Sequence, residues 1–276
     1  MASLSIARVV VACHAGGEIG PAIETGLRLA ARWRAKLHVV FLEDPQLHRL
    51  IGHPSARHVC LSQPALPVLE AGEIEPMLLA VAGRAQAQLA SRAEREGVKW
   101  SFAVVSDAPT EAALGATDSD FLVVEGTARA FAGHWRLRSR FAGLALGARL
   151  PVLMIRPPYQ PLRVVAAIFS GETPALLRSL AVAADMAAGA GAGLTVLAGP
   201  DAPPAARIHE ILTPGGPTLA RTVSVERIAG ASALHNAHGR FLKRALLVLD
   251  ATSRPPGLGD LEQLAEQTDC DILLVR

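Results

Sequence analysis

The sequence predicts an α/β protein made of two tandem, doubly wound, Rossmann-like domains, each with a five-stranded parallel sheet. Short apolar runs of the kind that form buried strands alternate with segments of helical periodicity, as in parallel sheets that are covered on both faces. The opening phrase ARVVVACHAGGE (Ala7–Glu18) returns as LRVVAAIFSGET (Leu162–Thr173). The closing strand PVLMIR (Pro151–Arg156) returns as DILLVR (Asp271–Arg276). Repetition of both ends indicates two copies of one unit.

The two copies define the predicted domains. The proline-rich PPYQP separates them, so that the first domain spans residues 1–158 and the second spans residues 159–276. In the first domain we expect strands and helices to alternate, and Gly97 is predicted to end the longest helix. The predicted strands are Arg8–Cys13, Leu37–Leu42, Lys99–Val105, Phe121–Glu125 and Val152–Ile155, and the predicted helices are Gly20–Ala35, Glu73–Glu96, Thr110–Ala116 and one more before the last strand.

The second domain follows the same course in fewer residues, with its second helix reduced to a stub near Ala205–Leu212. The predicted strands are Arg163–Phe169, Gly193–Leu197, Thr222–Ile228, Ala245–Leu249 and Ile272–Val275, and the other predicted helices are Thr173–Ala188, Ser232–Phe241 and Gly259–Gln267.

Composition excludes several classes of protein. The chain has 276 residues and a net charge of +2, which is too small to indicate nucleic-acid binding. The apolar run after Arg8 is too short for a signal peptide or a membrane span. Three cysteines without a CxxC pair are typical of a reduced compartment. We therefore expect a cytoplasmic protein that binds neither nucleic acid nor membrane.

The order of elements, doubled in a chain of this size, resembles the tandem universal stress protein family (UspA-like). The resemblance is carried by the openings Arg8–Gly17 and Arg163–Gly171 and by the segment DFLVVEG…LPVLMIR. It implies a stress-response role and frequent dimerisation. ATP-binding members of this family hold the nucleotide at the carboxyl ends of the first and fourth strands, whereas other members bind no ATP.

The family's ATP motif is largely lost in the first domain. ATP-binding members carry an Asp after the first strand, and after the fourth strand Gly, two residues, Gly, nine residues, then Gly and a hydroxyl residue. These glycines let backbone N–H groups approach phosphate. His14 stands at the Asp position and Gly126 keeps the first glycine, but Arg129, Ser139 and Arg140 occupy the remaining places. By this resemblance the ligand-binding residues would be Ala12, Cys13, His14, Val40, Gly126, Thr127, Arg129, Ser139 and Arg140.

The second domain lacks the motif almost entirely. Phe169 falls at the Asp position, Asp250 is predicted to replace the first glycine, and the segment Ala251–Gly259 is too short for the rest. A buried Asp250 would repel phosphate.

Two functions follow from this pattern. The first is a non-enzymatic stress protein that acts through protein interaction or an anionic ligand at the first domain. The second is an adenine-nucleotide-binding protein, with at most weak ATPase activity, in which arginine side chains replace the glycines. The arginines of residues 126–140 are also compatible with a solvated helix face or with pairing to acids across a dimer interface, and this is the favoured interpretation. The sequence offers no catalytic set, and ATP or another adenine nucleotide is the possible cofactor.

Three further patterns are weaker. AGGEIG (Ala15–Gly20), with Glu43 and Asp44 ending the second strand, partly matches a dinucleotide-binding loop. The His48–Cys60 loop contains residue types that bind zinc or copper, but their spacing of five suits neither a helix face nor a chelating turn, so we expect no metal site. The apolar closing strands Val152–Ile155 and Ile272–Val275 need cover along their edges, either from each other or from another chain.

Overall fold

The computed structural model describes residues 6–14, 19–43, 71–105, 110, 114–117, 119–125, 144–145, 147–156, 162–213, 222–228, 245–252 and 270–276. The chain divides into two compact units, Arg8–Ala116 and Thr117–Arg276, the second of which also takes in the residues up to Ala7.

Ten strands and four helices lie in the described part of the chain. The strands are β1 (Arg8–His14), β2 (Lys36–Leu42), β3 (Trp100–Val105), β4 (Asp120–Glu125), β5 (Val152–Ile155), β6 (Val164–Phe169), β7 (Gly193–Ala198), β8 (Val223–Arg227), β9 (Ala245–Asp250) and β10 (Asp271–Val275). The helices are α1 (Ile19–Trp33), α2 (Ala71–Glu96), α3 (Pro174–Ala190) and α4 (Ala205–Leu212). We call β1–β5 the first repeat and β6–β10 the second repeat.

The unit Arg8–Ala116 contains three parallel strands, with β2 paired to β1 on one flank and to β3 on the other. Apolar side chains of β1 and β2 are fully buried, as expected for central strands. Helix α1 packs on this layer so closely that Gly26 lies directly against the side chain of Val11. Helix α2 ends at Gly97, whose φ of 64° is readily adopted by glycine.

The other unit contains seven strands in the order β4-β5-β10-β9-β6-β7-β8. All these pairings are parallel except β5 with β10. The second repeat by itself therefore has the order 5-4-1-2-3, which is that of a doubly wound, five-stranded parallel sheet.

Helix α3 shows how the sequence sets its ends. Thr173 is the N-cap, and its hydroxyl accepts a hydrogen bond from the N–H of Leu176 at 3.3 Å. Pro174 follows at the first helical position, where a missing N–H is harmless. Gly191 ends the helix with a φ of 61°, and its N–H returns to the carbonyl groups of the last turn.

The predicted fold class and all ten predicted strands are confirmed, and no predicted strand end differs from the observed one by more than one residue. Helices Gly20–Ala35, Glu73–Glu96, Thr173–Ala188 and the stub Ala205–Leu212 are confirmed too. The predicted helices Ser232–Phe241 and Gly259–Gln267 lie outside the described residues, as do residues 111–113 of the predicted helix Thr110–Ala116 and most of the helix before β5. No helix in the described segments is long and apolar enough to cross a membrane.

The two closing strands pair with each other. Strand β5 runs antiparallel to β10, with Leu153 opposite Leu273. Each strand has a second neighbour on its other flank, β4 for β5 and β9 for β10. Of the two predicted ways to cover these edges, the pairing within one chain is therefore correct. Self-association of two chains through Val152–Ile155 or Ile272–Val275 is a wrong prediction, because neither strand has a free flank. The predicted domain boundary near residue 158 stays a prediction.

Candidate functional site

Doubly wound folds bind their ligands at the carboxyl ends of their strands, which is where the predicted site would lie. Ala12 and Cys13 precede His14, the last residue of β1, and Val40 lies opposite Ala12 in β2. The side chains of Ala12, Cys13 and Val40 are fully buried. The thiol of Cys13 donates a weak hydrogen bond to the carbonyl oxygen of Val40, at 3.8 Å. These three residues therefore form part of the core, and none presents its side chain to a ligand.

The rest of the predicted site lies outside the described residues. This applies to Gly126, Thr127, Arg129, Ser139 and Arg140. The arginine-based anion site therefore stays a prediction. The His48–Cys60 loop is likewise outside the described residues, and within the described segments no cluster of His, Cys, Asp and Glu is suited to a metal ion.

Both repeats end their fourth strand with a buried carboxyl group. Glu125 ends β4 and is 5% exposed, and Asp250 ends β9 and is 3% exposed. Glu125 lies opposite Ile155 in β5, and Asp250 lies opposite Val275 in β10. Ile155 and Val275 are equivalent positions of the matching strands PVLMIR and DILLVR. The two acids are thus equivalent residues of the two repeats.

This register corrects one prediction. Asp250 is equivalent to Glu125 and so precedes the first glycine position, which Ala251 occupies. The prediction was off by one residue because apolar runs locate a strand without fixing how it pairs. The alignment of Phe169 with His14 is consistent with the structure, since both end the first strand of their repeat. Phe169 is fully buried.

Asp250 is engaged by the chain that follows it. Its Oδ1 accepts hydrogen bonds from the N–H of Thr252 at 2.9 Å and from the Thr252 hydroxyl at 2.7 Å. This is an Asx turn, in which the carboxylate satisfies the backbone just beyond the strand. The donors that would otherwise be offered to an anion are directed to a carboxylate of the protein itself.

The loop after β7 lies against the end of β6. The N–H of Gly199 donates to the carbonyl oxygen of Phe169 at 2.9 Å, and a Cβ at Gly199 would lie 3.3 Å from that of Ser170. Arg227, at the end of β8, fixes this loop. Its guanidinium donates to the carbonyl oxygens of Gly199, Ala202 and Pro203, at 3.3, 2.9 and 2.8 Å. The loop is thus tied against the end of β6.

The exposed arginine at this end is also committed to carboxylates. Arg207 of α4 contacts Glu172 through two hydrogen bonds of 3.2 Å and Glu210 through a third of 3.2 Å. The hydrogen bonds to Glu172 and then Glu210 raise the pKa of Arg207 above its usual value. In the second repeat, residues at the described carboxyl ends are therefore engaged in hydrogen bonds and ion pairs within the chain.

Sequence reasoning missed the roles of Glu125, Arg227 and Thr252. A signal for the first was present, since the acids of VVE and VLD directly follow apolar strands in both repeats. The three carbonyl contacts of Arg227 have no local signal, because their partners lie more than twenty residues away in the chain.

Comparison with known proteins shows which solved structures share this architecture. No family model and no curated protein matches the chain. Among solved structures, it is similar to a protein described as a universal stress protein of Pseudomonas aeruginosa UCBPP-PA14, with 16% identity, a TM-score of 0.61, and coverage of 98% of this chain and 93% of that one. A protein of unknown function from Pseudomonas aeruginosa PAO1 gives 16% identity, a TM-score of 0.59, and coverage of 98% and 92%. A universal stress protein of Archaeoglobus fulgidus DSM 4304 gives 11% identity, a TM-score of 0.53, and coverage of 96% and 95%. Since these similarities run over nearly the whole of each chain, this protein has the fold of the universal stress proteins.

Proposed function

We propose that this chain is a non-enzymatic tandem universal stress protein that acts in the stress response through contacts with other proteins. The similarity in fold to solved universal stress proteins supports the general role. The finer statement, that it works without ATP, rests on the carboxyl ends of the strands.

The observation that carries the proposal is the pair of buried acids Glu125 and Asp250. ATP-binding universal stress proteins place phosphate just after the fourth strand. A carboxylate buried at that strand end repels phosphate, and repulsion is strong where water is excluded. Because the same feature occurs in both repeats, loss of the nucleotide site is the simplest common explanation.

The second repeat adds a steric argument. Gly199 lies against Ser170, and Arg227 holds the loop that contains Gly199. If a nucleotide bound where this loop lies, it would have to displace the loop and break the three hydrogen bonds of Arg227. Binding would therefore be weakened by the loss of contacts that stabilise the free protein.

The test is thermal unfolding of the purified protein with and without millimolar ATP, ADP or AMP, each with magnesium. A ligand that binds only the folded state at a hundredfold excess over its Kd adds about 2.7 kcal/mol to the free energy of unfolding. We expect no rise in Tm with any of these nucleotides and no magnesium-dependent ATP hydrolysis. The same measurement with pyrophosphate tests the alternative that the arginines of the first domain hold an anionic ligand.

A clear ATP-dependent rise in Tm would contradict the proposal. The variants Arg129→Ala and Arg140→Ala then identify the source of binding. If either variant abolishes the rise, arginine side chains have replaced the lost glycines. If both variants retain it, the nucleotide is held elsewhere and the arginine hypothesis is wrong too.

A further inference from the structure

Strand β3 has an unusual edge. Its six residues, WSFAVV, include no charged side chain and no fully buried one. Val104 is 44% exposed, and it is one of two large apolar side chains with such exposure in the described part of the chain. Within that part, β2 is the strand that pairs with β3. An apolar edge strand without charges is a template for pairing with another strand.

The backbone groups on the flank of β3 that faces away from β2 can be identified. The carbonyl oxygens of Lys99 and Val105 accept hydrogen bonds from β2, at 2.9 Å from the nitrogens of Leu37 and Glu43. Backbone groups of a strand alternate in direction from one residue to the next. The N–H and carbonyl groups of Trp100, Phe102 and Val104 therefore point away from β2, toward the flank on which no other described strand pairs with β3.

The equivalent strand of the second repeat is protected. Strand β8 (VSVER) ends in Glu226 and Arg227, and Arg227 also ties down a neighbouring loop. Charged residues on an edge strand prevent pairing with other strands. The two outer strands occupy the same position in their repeats, so the apolar character of β3 is specific to that edge.

The occupant that fits this edge is a strand with the same properties. The chain already covers two apolar strands by antiparallel pairing, β5 with β10. A strand that pairs antiparallel with its own copy forms a closed, two-fold contact. If the two-fold axis passes at Phe102, Trp100 lies opposite Val104 of the second copy. Every outward N–H and carbonyl group of β3 then has a partner.

We propose that β3 pairs antiparallel with β3 of a second copy of this chain, with Phe102 on the two-fold axis. The contact adds one strand pair and a small area, so it is a weak, concentration-dependent dimer contact. It is independent of the proposal on ATP.

Sedimentation velocity over a concentration series tests the proposal, reaching about 1 mM to cover weak contacts. The wild-type protein should move from monomer to dimer. Val104→Pro removes an outward N–H without touching the ladder to β2, and Val104→Lys places a charge on the edge. Both variants should stay monomeric at the concentration where the wild type is at least half dimeric. Val104→Thr, which keeps the backbone and the shape, should dimerise like the wild type, as should Val223→Lys on β8.

A second readout tests the register. The Cα atoms of a hydrogen-bonded antiparallel pair lie about 5.5 Å apart, within the range that a disulfide spans. Phe102→Cys should therefore give a covalent dimer on mild oxidation, and Val225→Cys on β8 should not. A wild type that is monomeric throughout overturns the proposal, and that outcome would favour an extended peptide of another protein as the occupant. A dimer that persists in both Val104→Pro and Val104→Lys overturns it as well. The Tm of each variant verifies that it is folded.

Discussion

The two repeats have different residues at matched positions of their first helix and first strand. Helices α1 and α3 each carry a proline in the first turn, Pro21 or Pro174, and a small residue five positions later, Gly26 or Ser179. A Cβ at Gly26 would overlap the side chain of Val11 and lie 3.3 Å from Cδ1 of Leu37. In the second repeat Ala166 stands where the first has Val11, when Arg163 is aligned with Arg8.

The difference teaches that, at matched positions of the two repeats, the size of the strand residue and the size of the helix residue change in opposite directions. A large strand residue is matched by glycine, and a small one by serine. Ser179 is 1% exposed, and its hydroxyl has no hydrogen-bond partner among the described residues. An unsatisfied buried hydroxyl lowers stability.

The strands that join the repeats differ at matched positions too. Asp271 opens β10, and its carboxylate accepts a hydrogen bond from the N–H of Arg156 at 2.8 Å. Pro151 stands at the equivalent place before β5 and has no acceptor in its side chain. One end of the β5–β10 pair therefore contains a titratable group, and the other does not.

The largest expected effect comes from Asp271. Burial raises its pKa from 3.8 to about 6, and the hydrogen bond and positive charge of Arg156 oppose this only in part. A raised pKa means that the folded state binds the proton more tightly than the unfolded state. The stabilisation is complete below pH 3.8 and is lost as the pH rises through about 6. At 1.36 kcal/mol per pKa unit, the ionised carboxylate costs roughly 3 kcal/mol at neutral pH.

The measurement is urea unfolding of the wild type and Asp271→Asn from pH 4.5 to 7.5. Asparagine keeps an acceptor for the N–H of Arg156 and cannot ionise. The stability advantage of the variant should therefore grow as the pH rises through about 6. Parallel curves for the two proteins would show that Asp271 does not titrate in this range.

Gly26→Ala should lower the free energy of unfolding by about 2 kcal/mol, because overpacking forces the helix away from Val11. Gly83→Ala is the matched control, since a Cβ there meets nothing within 4 Å and alanine favours the helix. The double variant Gly26→Ser with Val11→Ala copies the second repeat. It should be more stable than the sum of the two single effects in a double-mutant cycle. Strict additivity would disprove the size exchange.

Ser179→Ala should raise the free energy of unfolding by about 1 kcal/mol, because it removes a buried hydroxyl that gains no hydrogen bond. Thr195→Ala is the contrast, since the Thr195 hydroxyl lies 3.0 Å from that of Ser224. That variant should lose stability. If Ser179→Ala were destabilising, its hydroxyl would have a role that size does not explain.

Local sequence was sufficient to predict the strands and helix α3. Apolar runs such as VVVAC and ALLVL are determined by burial on both faces, and Thr173 with Pro174 fixes a helix start within a few residues. Pairing depends on residues far apart in the chain. The strand register, which moved Asp250 one position from its predicted place in the motif, has no local signature in the sequence. The same holds for the contact of Asp271 with Arg156, which are 115 residues apart in the chain. Repetition compensated in part, because it identified β5 and β10 as matching strands.

The candidate site stays a prediction for most of its residues, and it was inferred from a motif that this chain has mostly lost. Ala12, Cys13 and Val40 proved to be core residues because central parallel strands bury both of their faces. Glu125 and Asp250, at the ends of β4 and β9, can be read directly from the sequence. Only the pairing register of the strands shows that they are equivalent residues of the two repeats.

Native mass spectrometry of the purified protein with excess magnesium and ATP tests the central claim most directly. The account predicts the mass of the bare chain or of its dimer, with no nucleotide retained on purification or gained on addition. A stoichiometric increase by the mass of ATP would contradict it, and would mean that Glu125 and Asp250 tolerate a phosphate beside them.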